Sequence, residues 1–268
     1  MWFPRLPCER ILRQRPVDAP FALTLNRHNT DQIHCLTPRA EAMGLQHGMS
    51  LADARVFCPG LVSQPAELER DARFLSSLRR WALRYCPWVG RDGDDGLLLD
   101  VTGATHLFAS EEAMLADMRS RLARAGLTVR LGLAGTRGAA WALAPFSETE
   151  IAPPQPQDTL AALPVAALRL EAPAVVQLQR LGLRRVGDLL GLARAPLARR
   201  FGPALMLRLD QLLGDSPESI TPEAEPPHFA TRLTFPEPIG LLPDVMAAVE
   251  LVLAPLCDKL KLHEAGAR

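Results

Sequence analysis

The residues best suited to chemistry are carboxylates placed around one apolar run. Asp94-Asp95-Gly96 forms an acidic turn that feeds Leu97-Leu98-Leu99, and Asp100-Val101-Thr102-Gly103 closes the run with a further carboxylate at its far end. Oxygens of this kind can contact a hard divalent cation. They can equally solvate a turn, and both readings stand for Asp94 and Asp95.

A second concentration of charge lies downstream. Between Arg180 and Arg208 there are seven arginines and one acid, Asp188. Leu181-Gly182-Leu183 reads as a hairpin between two helices, where glycine would let backbone N–H groups approach a phosphate. Arg184 and Arg185 flank it, and Arg199 and Arg200 follow. A guanidinium makes charge-assisted, bidentate bonds to phosphate. The candidate DNA-binding residues are therefore Gly182, Arg184, Arg185, Arg199 and Arg200, with a solvated arginine-rich face as the plain alternative. His34, His47 and His106 show no ligand spacing, and Trp81, Tyr85 and Trp88 read as core. No G-x-x-x-x-G-K-[ST] loop occurs, which speaks against ATP use.

These residues need elements to hold them. Phe21 to Leu25 and Ile33 to Leu36 read as strands, with Asn26 to Asp31 as the loop between them. Pro38 to Gly44 reads as a short helix. Ser50 caps the next helix, with Leu51, Ala54 and Phe57 on one face. Glu67 to Tyr85 is a strong amphipathic helix, Leu97 to Val101 a buried strand, and Ser110 caps a helix through Arg124. Leu127 to Leu133 alternates like a strand, and Gly138 to Leu143 is a small-residue helix. Strands alternating with helices predict an α/β layer. After a proline-rich linker the chain is helical to about Gly214. Beyond a second linker, His228 to Phe235 is a candidate strand and a helix follows from Pro243, with a kink expected at Pro255.

Bulk properties narrow the class. The 268 residues are 48% hydrophobic, enough for a packed core. Formal net charge is +0, so attraction to nucleic acid must come from a local patch. Lysine is confined to Lys259 and Lys261. Cys8, Cys35, Cys58, Cys86 and Cys257 are dispersed, which argues against zinc and for reduced thiols in the cytoplasm. No apolar run reaches the ~20 residues that cross a bilayer.

Several of these segments, in order, resemble the Y-family (UmuC-type) DNA polymerases, and among them the non-catalytic ImuB type. Gly48-Met49-Ser50-Leu51-Ala52-Asp53-Ala54-Arg55 with Cys58-Pro59-Gly60-Leu61 resembles the fingers motif. Asp100 to Gly103 resembles the end of the palm strand, and Gly135 to Ala144 is similar to a segment typical of the ImuB type. Leu181 to Leu190, followed by Arg199-Arg200-Phe201-Gly202, resembles the thumb. The resemblance implies an α/β palm with a fingers subdomain, then an all-α helix-hairpin-helix thumb and an incomplete α+β little finger. Its expected boundaries are palm 1–10 and 72–150, fingers 11–71, linker 151–158, thumb 159–215, linker 216–227 and a truncated little finger 228–268.

The same resemblance marks what has changed. The family's palm holds two metals with carboxylates. Here Trp2 and Gly96 occupy expected acidic positions, Pro4 another, and Asp95 alone remains. The fingers Tyr and Arg that face the triphosphate match Pro38 and Glu41, the palm Lys matches Trp141, and Arg39 is the nearest substitute. Arg169 and Glu171 stand where the family's earlier hairpin has glycines. The expectation is a catalytically inactive DNA-binding adaptor in damage-induced mutagenesis and translesion synthesis within the SOS response, with no cofactor. Its implied partners are DNA, the sliding clamp, an error-prone DNA polymerase and a RecA-like accessory protein, although the tail that would bind them is not in this sequence. Two alternatives remain open: an active template-dependent polymerase with displaced carboxylates, which would need Mg, and a helix-hairpin-helix module beside an unrelated α/β domain.

Overall fold

The computed structural model describes residues 1–222, 229–235 and 238–262. Contacts divide the chain into two compact units, Met1–Pro222 and Glu223–Arg268.

The first unit opens with a short helix, α1 (Leu6–Leu12), followed by an antiparallel hairpin of β1 (Phe21–Arg27) and β2 (Thr30–Leu36). The strands run two or three residues further than the sequence suggested. Only His28 and Asn29 remain in the turn, at φ 52° and 61°. Two left-handed residues are what a two-residue hairpin turn demands, because its twist then matches the strands. Helices α2 (Pro38–Glu41) and α3 (Leu51–Phe57) follow, and β3 (Val62–Pro65) lies parallel to β1, giving the order β2-β1-β3. Ser50 caps α3 by accepting the Asp53 N–H. The core under these helices contains Ile33, Leu36, Ala40, Ala54 and Leu61. Phe57, expected to face inward, is 65% exposed, because the short α3 buries only Ala54 at its centre.

The next layer holds the central sheet. The long helix α4 (Leu68–Ala82) packs on the hairpin of β4 (Trp88–Asp92) and β5 (Gly96–Asp100). Trp2 bridges antiparallel to Gly96 on one side and to Arg130 on the other, so the chain start is threaded into the sheet. The strand expected at Leu127 to Leu133 is reduced to isolated bridges at Arg130 and Leu133. On the partner side Pro4 follows soon after the bridge at Trp2, and it has no N–H to continue a ladder. Helix α5 (Glu111–Arg124) is capped by Ser110, and α6 (Arg137–Phe146) by Thr136. Phe3, Leu6, Leu75, Val89, Leu97 and Leu122 form one core of this layer, and Tyr85, Met114, Met118 and Leu131 another. Trp88 departs from the expected core, being 54% exposed at the outer edge of β4.

The rest of the first unit is helical: α7 (Gln157–Ala162), α8 (Ala172–Arg180), α9 (Val186–Leu190), α10 (Arg194–Phe201) and α11 (Pro203–Leu213), with a 3-10 turn at Val165–Leu168. Its core of Leu160, Val165, Leu178, Val186 and Leu209 also includes Ala139 and Ala142 of α6. The approach is close. A Cβ on Gly138 would lie 2.9 Å from the Gln211 carbonyl oxygen on α11. Gly214, at φ 95°, ends α11.

In the second unit, the expected strand at His228 to Phe235 is not formed. His228 lies outside the described residues, and 229–235 has no regular structure. Among the described residues no second strand is available, and a lone strand leaves its ladder groups unpaired. Helix α12 (Leu242–Leu262) contains Pro255, and the Thr231 hydroxyl donates to the Val252 carbonyl oxygen at 2.7 Å.

Candidate functional site

Threading of the chain start through the sheet brings Trp2, Asp95 and Gly96 together. Phe3 N–H donates to the Asp95 carbonyl at 2.8 Å, and Leu97 N–H to the Met1 carbonyl at 3.0 Å. Registered in this way, the Trp2 indole Nε1–H donates to Asp95 Oδ2 at 2.8 Å. Burial pushes the Asp95 carboxyl above its ordinary value. The Trp2 hydrogen bond works against that rise, while the negative charges of Asp94 and Asp92 add to it.

The neighbouring acids do not complete a metal site. Asp92 accepts from Arg137 Nη2 at 3.1 Å, and Asp94 is exposed. Asp100 sits at the other end of β5, about 16 Å away at roughly 3.3 Å per residue. The Thr102 hydroxyl, and with it the Thr102 N–H at 3.0 Å, holds its carboxyl below the ordinary value. Among the described residues no group of three or more His, Cys, Asp or Glu could hold a metal ion. A pair of magnesium ions needs many oxygen ligands at short range. Asp95, partly engaged by an indole, does not meet that need.

An apolar cavity of about 310 Å³ occupies this face of the sheet. Trp2, Asp92, Asp95, Leu98, Trp141 and Phe146 are among the residues that line it. Trp141 and Phe146 lie with ring centroids 6.1 Å apart, and the Arg169 guanidinium sits 5.7 Å from the Trp141 ring centroid. Glu41, at the end of α2, forms an ion pair with Arg5 at the start of α1. Pro38 opens α2, and Arg39 pairs with Asp18 at 2.7 Å in solvent.

The arginine face lies on the helical part of the first unit. Gly182, at φ 81°, closes α8: Leu183 N–H donates to the Leu178 carbonyl and Gly182 N–H to the Gln179 carbonyl. That pattern is a Schellman cap with glycine in the left-handed position. The Asp188 carboxylate accepts the N–H groups of Arg184 and Arg185, each at 2.8 Å, and these bonds lower its pKa. The hairpin amides expected to meet a phosphate are thus committed within the fold. Arg184, Arg185, Arg199 and Arg200 are all exposed, whereas Arg194 is paired with Asp210 and Arg208 with Glu218.

Sequence reading missed one cluster. Glu218, in a stretch read as linker, is ringed by Arg169, Arg137 and Arg208. Burial opposes its charge, yet the arginines, Arg169 foremost, hold its pKa below the ordinary value. Arg169 is left-handed at φ 53°, a conformation that suits glycine better. The local signal was the arginine at an expected glycine position; nothing local announced Glu218. His34 and His47 lie tilted to each other at 57° with centroids 6.0 Å apart, and burial lowers the His34 pKa.

The family model described as "IMS: impB/mucB/samB family" matches residues 6–144. Over 228 residues the chain is 47% identical to Protein ImuB of Caulobacter vibrioides, covering 84% of this chain and 50% of that protein. It therefore spans about half the length of that relative. DNA polymerase IV of Ralstonia nicotianae is 24% identical over 258 residues, covering 94% of this chain and 72% of that protein. DinB from Sulfolobus solfataricus superposes with a TM-score of 0.69 at 17% identity, over 82% of this chain and 67% of that one. The insertion ternary complex of Dbh DNA polymerase superposes with a TM-score of 0.71 at 17% identity and the same coverage. The α/β palm, fingers and helical thumb of Y-family polymerases are thus the fold of this chain. With just over half of its residues matched by the family model, the chain belongs to the impB/mucB/samB family and is an ImuB-like homologue of the Y-family polymerases.

Proposed function

We propose that the chain is a polymerase-shaped DNA-binding adaptor without nucleotidyl-transfer activity, serving damage-induced mutagenesis and translesion synthesis. The observation that carries this reading is the hydrogen bond from Trp2 to Asp95. By the family's register an indole stands where a metal-binding carboxylate is expected, and it engages the acid that remains. Gly96 supplies no side chain beside it, and Glu41, paired with Arg5, stands where the family's fingers carry an arginine toward the triphosphate. One available carboxylate cannot neutralise and align two hard cations and a triphosphate.

The thumb supplies the binding side of the proposal. A helix-hairpin-helix of α8 and α9 would set Arg184 and Arg185 against the DNA backbone, with Arg199 and Arg200 extending the contact. Such contacts give affinity and salt dependence, not sequence choice. The sliding clamp, an error-prone polymerase and a RecA-like accessory protein are the proposed protein partners, on the strength of the family resemblance. A cytoplasmic setting within the SOS response is part of the same proposal, and five free cysteines fit it. Among the described residues no helix is long and apolar enough to cross a membrane.

Primer extension with Mg²⁺ and with Mn²⁺, run beside DNA binding by anisotropy, tests the proposal. Binding without incorporation supports it. Templated incorporation favours an active polymerase instead, and absence of DNA binding removes the adaptor role.

A further inference from the structure

The cavity beside Asp95 is a binding site in its own right, and we propose that it takes a small arylalkylammonium, an aromatic ring carrying a short aminoalkyl arm. The inference does not rest on the adaptor reading.

Three features converge. The first is size and character: about 310 Å³ lined mainly by apolar side chains lies within the range of small-ligand sites. The second is aromatic lining. Trp2 and Trp141 contribute indoles and Phe146 a phenyl ring, surfaces that pack against an arene and attract a cation to their faces. The third is charge. The cavity lining includes two carboxylates and no basic side chain; the Met1 α-amine, also in the lining, donates to the Leu97 carbonyl at 2.9 Å, and burial lowers its pKa to about 6. Asp92 is neutralised by Arg137, which also leans on Glu218. The Asp95 carboxylate accepts from the neutral Trp2 indole, and the neighbouring charges that act on it are those of Asp94 and Asp92. A carboxylate has about four lone-pair sites, and the indole N–H takes one of them. An ammonium at Asp95 would gain a charge-assisted bond in a place where water competes poorly. Exposed Asp94 adds attraction, and Arg169 lies over Trp141 already paired with Glu218. An anion would meet the acids unaided, and a neutral arene would leave Asp95 uncompensated.

The expected order of affinity is 2-phenylethylamine, then 2-phenylethanol, then 3-phenylpropionate. Titration of the intact chain, followed by the Trp2 and Trp141 indole N–H resonances, measures it. In Asp95→Asn, which keeps the shape and the capacity to accept from Trp2, the amine should lose at least tenfold and fall to the level of the alcohol. The alcohol itself should change less than twofold. Trp141→Ala should weaken both. Equal binding of the three probes, preference for the acid, an Asp95→Asn variant that keeps its amine preference, or no shift of either indole signal would each overturn the proposal. If Trp141→Ala fails to fold, Phe146→Leu, at a 37% exposed position, serves in its place. Primer extension reads the adaptor proposal separately, so the two can fail independently.

Discussion

Arg169 and Glu218 meet fork to fork, with Nη1 to Oε1 at 2.8 Å and Nη2 to Oε2 at 2.6 Å, both side chains only 11% exposed. The pair joins the turn before α8 to the segment that follows α11, and Arg137 extends the link to α6. Removing one member of a buried pair leaves the other uncompensated, at a cost of about 3–5 kcal/mol. Glu218→Ala should therefore lower unfolding stability by roughly that amount in a urea titration, while Arg73→Ala, an exposed i,i+4 pair with Glu69, should change it by less than about 0.5 kcal/mol.

The same group sets a pH window. The Glu218 pKa is depressed from its ordinary 4.5. Its stabilising contribution is complete above the unfolded value and disappears as pH falls through the folded one. Wild type should lose stability on acidification below pH 4.5 more steeply than Glu218→Gln does. Parallel slopes for the two proteins would remove Glu218 as the cause.

Trp2→Phe deletes the donor to Asp95 and keeps an aromatic ring. Because that hydrogen bond lowers a carboxyl already raised by burial, its loss should send the Asp95 pKa further up. Carbon-detected NMR titration would show the midpoint moving to higher pH. The charged carboxylate is then penalised more in the folded state, so the variant's stability deficit should be largest above that midpoint.

Gly96 explains why acidity is hard to restore. A Cβ there would lie 2.6 Å from the Asp92 carbonyl oxygen. Gly96→Ala should cost about 1–3 kcal/mol, the usual range for forced overpacking. A Trp2→Asp, Gly96→Glu double variant should show no incorporation in primer extension with Mn²⁺, because the turn must move before the new carboxylate can fit. Incorporation by that variant would show that the turn yields easily.

Replacing Arg184 and Arg185 together with Ala should weaken DNA binding evenly across sequences. It should also flatten the salt dependence by about one unit of slope per lost phosphate contact. Arg194→Ala is the control, since Asp210 already holds that guanidinium at 2.5 Å. Anisotropy at several salt concentrations reads both effects. Unchanged slopes in the double variant would leave this face as mere surface.

Local chemistry was the legible part of this chain. Ser50 and Ser110 cap the helices expected of them because a hydroxyl and an N–H three residues on need nothing distant. The meeting of Trp2 with Asp95 was legible only through family register, since 93 residues separate them. Glu218 gave no signal, because three arginines from three different elements define its role. Gly182 was visible as a hairpin glycine, but its amides were assigned to a ligand before the α8 carbonyls had claimed them. Leu127 to Leu133 had the right alternation and a partner interrupted at Pro4, a failure that alternation cannot reveal.

Helix α6 belongs to two structures at once. Its small residues, Ala139 and Ala142, are built into the helical core, and its large ones, Trp141 and Phe146, wall the cavity beside the sheet. With Gly138 allowing α11 to press against its backbone, α6 works as a common axle. Any displacement of the helices packed on α6 would therefore move the cavity wall as well.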